Sequence, residues 1–487
     1  MPEAFAASSV KERQSVRTIA RNLLVLMLGA LLVACAVGPD YVAPETEAPE
    51  KFEHLDPQVY TNEEATAAFW KQFQDPLLEQ LVDDALAANH DLRIALARVV
   101  EARAIRGETR LDLLPTITAD GGYTDQRASL AQLAVSPDRD VELYDAGFDA
   151  FWELDFFGRV RRSVERSNAL ADAAEASLRD ALVIVTAEVT RTYFELRGQQ
   201  QQLEVARQNV RNQRETLELT QALLDAGRGT ELDTSRAQAQ LSATLATIAP
   251  LEAALARSIH RLGVLTGRPP TALRQLLDPP AELPALPRVT AVGDPGTLLR
   301  RRPDIRVAER ELAAATAGIG VAVADLFPRV SFTGSVGYVA TSFGELGESG
   351  TDTSVLAPGI SWAALDLGRV RARITGARAR ADAALSQYEQ TVLRALEETE
   401  NALVMHARAR ERLTHAQEAA QASATAARLA RLRFENGAVD FLQVLDAERT
   451  LLEAEDRLAQ ARTETATSLI AVYKALGGGW EPAVAAR

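Results

Sequence analysis

"LFPRVSFTGSVGY" (residues 326–338) interrupts a long Ala-rich helical pattern, and "LLPTITADGGY" (113–123) does the same in the first half of the chain. In the later copy Val330, Phe332, Val336 and Tyr338 alternate with Arg329, Ser331, Thr333 and Ser335. That is the period-2 pattern of a strand with one apolar and one polar face. In the earlier copy Ile117, Ala119, Gly121 and Tyr123 alternate with Thr116, Thr118, Asp120 and Gly122. A proline precedes each, Pro115 or Pro328, where it stops an incoming helix and is tolerated as a first strand residue. A second alternating stretch follows each. Phe148, Ala150, Trp152, Leu154 and Phe156 oppose Asp149, Glu153 and Asp155, with Phe151 on the acidic side; Leu356, Ile360 and Trp362 oppose Gly359 and Ser361. Strands are expected at about 113–126, 144–157, 326–342 and 355–367.

Outward from these strands, the two halves of the chain match. A shift of 213 positions, without a gap, lays Asp91 on Asp304, Arg93 on Arg306, Gly107 on Gly320, Asp112 on Asp325 and Pro115 on Pro328. Further on, "WELDFFGRVRR" from Trp152 matches "WAALDLGRVRAR" from Trp362, and "LLDAGRGTELD" (223–233) faces "RFENGAVDFLQ" (433–443). One duplication of a helix-strand-strand-helix unit accounts for the pattern. From Arg159 to Ala226, and again from Arg369 to Asn436, no proline occurs and apolar residues recur at helical spacing. Each stretch reads as one very long helix or as two shorter ones, with a break near Gly198 in the first. Gly227, Gly229, Asn436 and Gly437 then supply residues suited to positive φ at helix-to-helix turns.

Of the 487 residues 47% are hydrophobic but only 5% aromatic. This points to helices packed through small side chains rather than to an all-β core. A formal charge of -14 argues against a nucleic-acid partner. The organisation reads as a leader (1–34), an extended Pro- and Glu-rich tether (35–68), a first repeat (69–265), a Pro-rich linker (266–297), a second repeat (298–476) and a tail (477–487). In the leader Lys11, Arg13, Arg17 and Arg21 precede the apolar run Leu23 to Val33, which is too short to span a bilayer and stay. The run ends in Leu32-Val33-Ala34-Cys35, with the chain's only cysteine. That tetrad is similar to the bacterial lipobox, which implies cleavage before Cys35 and its acylation; Ala36 after it resembles lipoproteins sent to the outer membrane.

Alternating strands of this length suit a transmembrane barrel, and equally a half-buried soluble sheet. In the barrel case four strands cannot close alone, because single-chain barrels begin at about eight. Copies must then pool strands, eight in a dimer or twelve in a trimer.

The stretch 302–334, "WELDFFGRVRR", and "FLQVLDAERTLLEAEDRL" with "VYKALGGGW" resemble the TolC-like outer-membrane efflux channels, in their lipoprotein branch. The resemblance runs from Cys35 to Trp480 and occurs in both halves. It implies a mainly α fold with a transmembrane β-barrel: a homotrimer in outer-membrane lipid, sharing twelve strands, with a long α-helical barrel in the periplasm. It further implies a passive exit duct for small molecules such as drugs, joined to a periplasmic adaptor and an inner-membrane transporter. A duct for type I protein secretion, or a lipid-anchored periplasmic scaffold without a pore, are the alternatives. On "NGAVDFLQVLDAER" the resemblance places a hydrophobic constriction at Leu442 and an acidic ring at Asp446, and it assigns the Gly227/Gly229 and Asn436/Gly437 turns to adaptor contact. Asp446 also suits a solvated pair with Arg449 at i+3. Val439 and Gln443 stand where some members carry charged gate residues, so a strong salt-bridge latch is not expected.

No enzyme signature competes. His54, His90, His260, His406 and His415 are scattered, and no HExxH, Cys/His ligand spacing, dinucleotide loop or Gly-x-Ser-x-Gly elbow occurs. No cofactor or metal is expected.

Overall fold

The computed structural model describes residues 36–45, 48–53, 59–61, 63, 68–127, 129, 140–287 and 289–480. Cys35 and the leader lie outside them. The elements run β1 (Tyr60–Thr61), α1 (Pro76–Ala88), α2 (His90–Leu111), β2 (Thr116–Arg127), β3 (Asp140–Leu154), α3 (Arg159–Asp225), α4 (Glu231–Leu265), α5 (Arg274–Leu277), β4 (Thr290–Ala291), α6 (Pro295–Arg301), α7 (Pro303–Ala324), β5 (Arg329–Ala340), β6 (Asp352–Ser361), α8 (Leu367–Glu435) and α9 (Phe441–Ala475). Two compact units form, and each draws on both sequence repeats.

The first unit (1–44, 99–173, 308–388) holds one antiparallel sheet in the order β2-β3-β5-β6. Two hairpins, one from each repeat, are joined through β3 and β5, with Phe148 opposite Val336 and Trp152 opposite Phe332. The strands start one residue after each proline. Phe156 and Trp362 fall just beyond the ends of β3 and β6. The indole Nε1–H of Trp152 donates to the Leu113 carbonyl (3.1 Å), and that of Trp362 donates to Leu326 (3.0 Å). The duplication thus preserves a side-chain bond that ties each second strand to the preceding helix end, where carbonyls lack helical partners.

In the second unit (45–98, 174–307, 389–487) the main core gathers Phe69, Trp70, Phe73, Tyr193, Leu262 and Tyr473. Phe69 stacks on Tyr473 with ring centroids 4.9 Å apart. Asp75 accepts from the backbone N–H groups of Leu77 and Leu78 at the start of α1, and its other oxygen accepts from Tyr193 Oη at 2.7 Å, so one carboxylate caps a helix and fixes it to α3. The helix α3 passes Gly198 unbroken. A Cβ there would stand 2.0 Å from Thr463 Oγ1, so the glycine serves the close approach of α9 rather than a break.

Two segments are more structured than their composition suggests. Within the tether, Tyr60–Thr61 pairs in parallel with Thr290–Ala291 of the linker, and Phe52 is buried beside Leu403 and Val472. The linker itself carries the short α5, β4 and the start of α6, whose first residue is Pro295 and whose cap is Asp294, bonded to Thr297 N–H at 2.9 Å.

Candidate functional site

Register sorts the sheet's side chains into two faces of opposite chemistry. One face carries Ile117, Phe148, Trp152, Val336, Leu356 and Ile360. All but Trp152 are more than half exposed within the chain, a larger apolar surface than a soluble protein normally leaves open. Tyr123 and Tyr144 sit on this face toward the loops, ring centroids 4.9 Å apart, with Phe343 against Tyr144 at 5.9 Å. Trp152 and Trp362 mark the other end. From Tyr144 to Trp152 is eight residues, roughly 26 Å along a strand, so aromatic residues bracket an apolar band of about the height a bilayer requires. The charged members of this face, Asp125, Arg127, Asp140, Glu142 and Asp352, all lie at the loop end, outside the band.

The opposite face is mostly polar: Thr116, Thr118, Asp120, Asp145 and Asp149 continue across the sheet to Thr333 and Ser335, with Phe151, Val339 and Val355 as its exposed apolar members. A Cβ on Gly147 would come within 3.1 Å of Gly337 Cα, and one on Gly337 within 2.7 Å of Gly147 Cα. The β3 and β5 backbones therefore approach closely at this pair, which only glycine allows. Among the described residues the sheet's outer strands, β2 and β6, each pair on one side only.

The residues that follow Cys35 are clamped at the tryptophan end. Val37 N–H donates to the Phe157 carbonyl (3.1 Å), and the buried Arg162 donates to Val37 O (3.2 Å), Gly38 O (3.3 Å) and Asp40 Oδ1 (2.7 Å). Gly158 takes φ +81, and any Cβ there would meet Ala36 Cα at 2.6 Å; Gly38 likewise lies directly on Gly320. No motif reading of the sequence singled out Arg162. Both repeats share "GRVR" after their second strand, but Arg162 itself falls on Ala372 in the second, so the duplication carried no signal for it.

At the far ends of the long helices both turns close the same way. Gly227 N–H bonds Leu224 O and Arg228 N–H bonds Leu223 O; Gly437 N–H bonds Phe434 O and Ala438 N–H bonds Arg433 O, all at 2.8–2.9 Å. These are the paired bonds of a helix end whose next residue is left-handed. Gly227 (φ +72) and Gly437 (φ +69) supply that residue, whereas Gly229 and Asn436 do not take positive φ. Asn436 instead donates from Nδ2 to Leu432 O at 2.7 Å, capping α8. Thr230 and Asp440, equivalent in the repeat, then start the return helices by accepting from Asp233 and Gln443 N–H, each at 3.3 Å.

On α9 Phe441 and Val444 turn into the tip core with Ala237, which leaves Leu442 and Asp446 on the exposed side, four residues apart. Asp446 accepts from Arg449 Nη2 at 2.9 Å, and Arg449, Glu453 and Arg457 continue as an ion-pair ladder along the helix. The backbone N–H of Gln443 serves the Asp440 cap, and the residue is exposed. Among the described residues no group of His, Cys, Asp and Glu is arranged to hold a metal ion, and no helix is long and apolar enough to cross a membrane.

Comparison with known proteins agrees with this geometry. The family model for the outer membrane efflux protein matches residues 81–268 and 295–478, one stretch in each repeat. Nodulation protein T of Rhizobium leguminosarum bv. trifolii is 32% identical over 459 residues, covering 93% of this chain and 96% of that protein. The antibiotic efflux pump outer membrane protein ArpC of Pseudomonas putida is 31% identical, covering 94% and 96%. Among solved structures the outer-membrane channel OprN superposes with a TM-score of 0.87 at 47% identity, over 92% of this chain and all of that one. The chain belongs to the outer membrane efflux protein family, and it is an efflux channel protein of the outer membrane.

Proposed function

We propose that three copies of this chain pool their sheets into a closed twelve-strand barrel and together form the passive exit duct of a tripartite efflux system. The observation that carries this reading is a four-strand sheet with a mostly polar face, an aromatic-bracketed apolar face and two edges unpaired among the described residues. In lipid an open edge leaves backbone groups without partners, so closure has to come from other copies. Asp120, Asp145 and Asp149 then face the lumen, and Ile117, Phe148 and Leu356 face lipid. Acylation at Cys35, which lies outside the described residues, would add a lipid anchor two residues before the clamped Val37.

The long helices continue the duct into the periplasm, toward an adaptor and an inner-membrane transporter that supplies the energy. The Gly227 and Gly437 turns, whose exposed backbone is fixed by their caps, are the adaptor-facing tips. Relatives named for antibiotic, toluene, solvent and pyoverdine export favour small-molecule cargo over secreted protein.

Leu442 and Asp446 form the constriction, with three copies of each around the axis. Each Asp446 keeps Arg449 as a local counter-ion, which lowers the repulsion among three carboxylates. Leu442→Ala and Asp446→Ala should each raise the resting conductance of the protein in planar bilayers. Conductance unchanged in both would remove these residues from the gate.

A further inference from the structure

Several positions that α7 buries are exposed at the equivalent places on α2, yet none of them has become polar. With the shift of 213, Ala313, Ala317, Gly320 and Ala324 fall on Val100, Ala104, Gly107 and Leu111. The first set is buried, whereas the second is exposed, Val100 by 61% and Leu111 by 63%. The same holds for α3 and α8, which a shift of 210 relates: Arg162, Ala169 and Ala173 are buried, and Ala372, Ala379 and Ala383 are exposed. Inside the chain α3 and α7 cover each other at these positions. Ala169 and Ala313 share one buried cluster, and a Cβ on Gly320 would stand 2.7 Å from Arg162 Cγ. On Gly107 it would meet nothing, although a glycine within a helix weakens it. Each of α2 and α8 thus keeps, on a free face, the surface by which its counterpart joins the two repeats. The two shifts also hold in the sheet, where Thr116 opposite Phe151 becomes Arg329 opposite Ser361.

Resting on the pooled barrel, we infer that the joint between copies repeats the joint between the two repeats. The shifts carry the Gly320–Arg162 and Ala313–Ala169 contacts onto Gly107 of one copy against Ala372 of the next, and Val100 against Ala379. They carry Ala150 opposite Gly334 onto Ile360 of β6 opposite Gly121 of β2 in the neighbouring copy. That register sets the apolar face of one sheet beside the apolar face of the next, which a slip by one residue would reverse. The closed ring then alternates joints within copies and joints between them. The two kinds differ at one place: a chain has a single segment 37–40 for two joints, and Arg162, which holds it, gives way to Ala372 at the second.

The chain's single cysteine lies at 35, so cysteine pairs can be introduced elsewhere with the parent protein as control. Ile360→Cys is combined with Gly121→Cys in the full-length detergent-extracted protein, which is oxidised and run on a denaturing gel without reductant. As opposite edges of the sheet, β2 and β6 of one chain stand roughly 14 Å apart, too far for a disulfide within it. Covalent three-copy rings are expected, formed at least about tenfold faster than when Ile360→Cys is combined with Ala119→Cys or Tyr123→Cys, the partners a two-residue slip would bring. Gly107→Cys with Ala372→Cys should link copies likewise and is the second pair if the strand variant does not assemble. Faster linking of a slipped pair, or no linking by either designed pair in particles whose native mass is three copies, would overturn the register and leave the pooled barrel standing. Particles of a single copy in the parent protein would remove the barrel itself, and this joint with it.

Discussion

Asn89 and Arg302 hold equivalent places in the two repeats and meet the same need with different chemistry. Asn89 Nδ2 donates to the Leu265 carbonyl and Arg302 Nη1 to the Ala475 carbonyl, both at 2.8 Å, so each satisfies an orphan carbonyl at the end of a returning helix. Because Arg302 is charged and nearly buried, it brings Asp304 (2.7 Å) and Glu398 (2.8 Å) with it, and Glu398 also takes Lys474. Asp180 stands beside this network, where burial first and the Asp304 charge second push its pKa up to about 6, against the pull of Arg302 and Lys474. A carboxyl raised in the folded state favours folding most below its unfolded pKa and loses that contribution as pH rises through about 6. Asp180→Asn should therefore raise stability at pH 7, by roughly 1–3 kcal/mol, and flatten its pH dependence between about 4 and 6. Thermal unfolding at pH 4.5 and pH 7.5 checks this; an equal effect at both would contradict it. His406 acts in the opposite sense. Buried, and next to Arg410, it is held down to about 4 and stays neutral, so its contribution is lost as pH falls below its ordinary value.

Among the elements, the long helices depend on close approach more than on large side chains. Gly198 of α3 admits Thr463 of α9, and a Cβ there would overlap both Oγ1 and Cγ2. Gly198→Ala is expected to destabilise by about 1–3 kcal/mol, since the neighbouring backbones must part, and Thr463→Gly should restore part of the loss. An unchanged unfolding midpoint for the single variant would contradict this packing. The same position shows what the sequence could and could not disclose. The absence of proline and the helical spacing made α3 and α8 legible, but a glycine that breaks a helix and one that lets a partner close in look alike until the partner is known. Strand alternation was legible because its period is local. The pairing of Tyr60–Thr61 with Thr290–Ala291 was not, because two residues carry no period. At the tips, glycine and asparagine both tolerate positive φ, and only the bonding pattern separates Gly437, which adopts it, from Asn436, which caps with its amide.

At the scale of the whole molecule, the sequence declared a duplication, and the structure adds that each compact unit is assembled from both copies. The four long strands collect in one unit because each repeat supplies a hairpin and β3 pairs with β5 across the repeat boundary. The close backbone approach at Gly147 and Gly337 was not readable beforehand, since a glycine in a strand can equally mark a bulge. In the pooled barrel proposed here, a sheet with two edges open among the described residues is an incomplete wall. The most direct measurement is the native mass of the detergent-extracted protein. Three copies per particle are predicted, as a twelve-strand barrel requires; a stable single copy would contradict the pooled barrel and with it the pore.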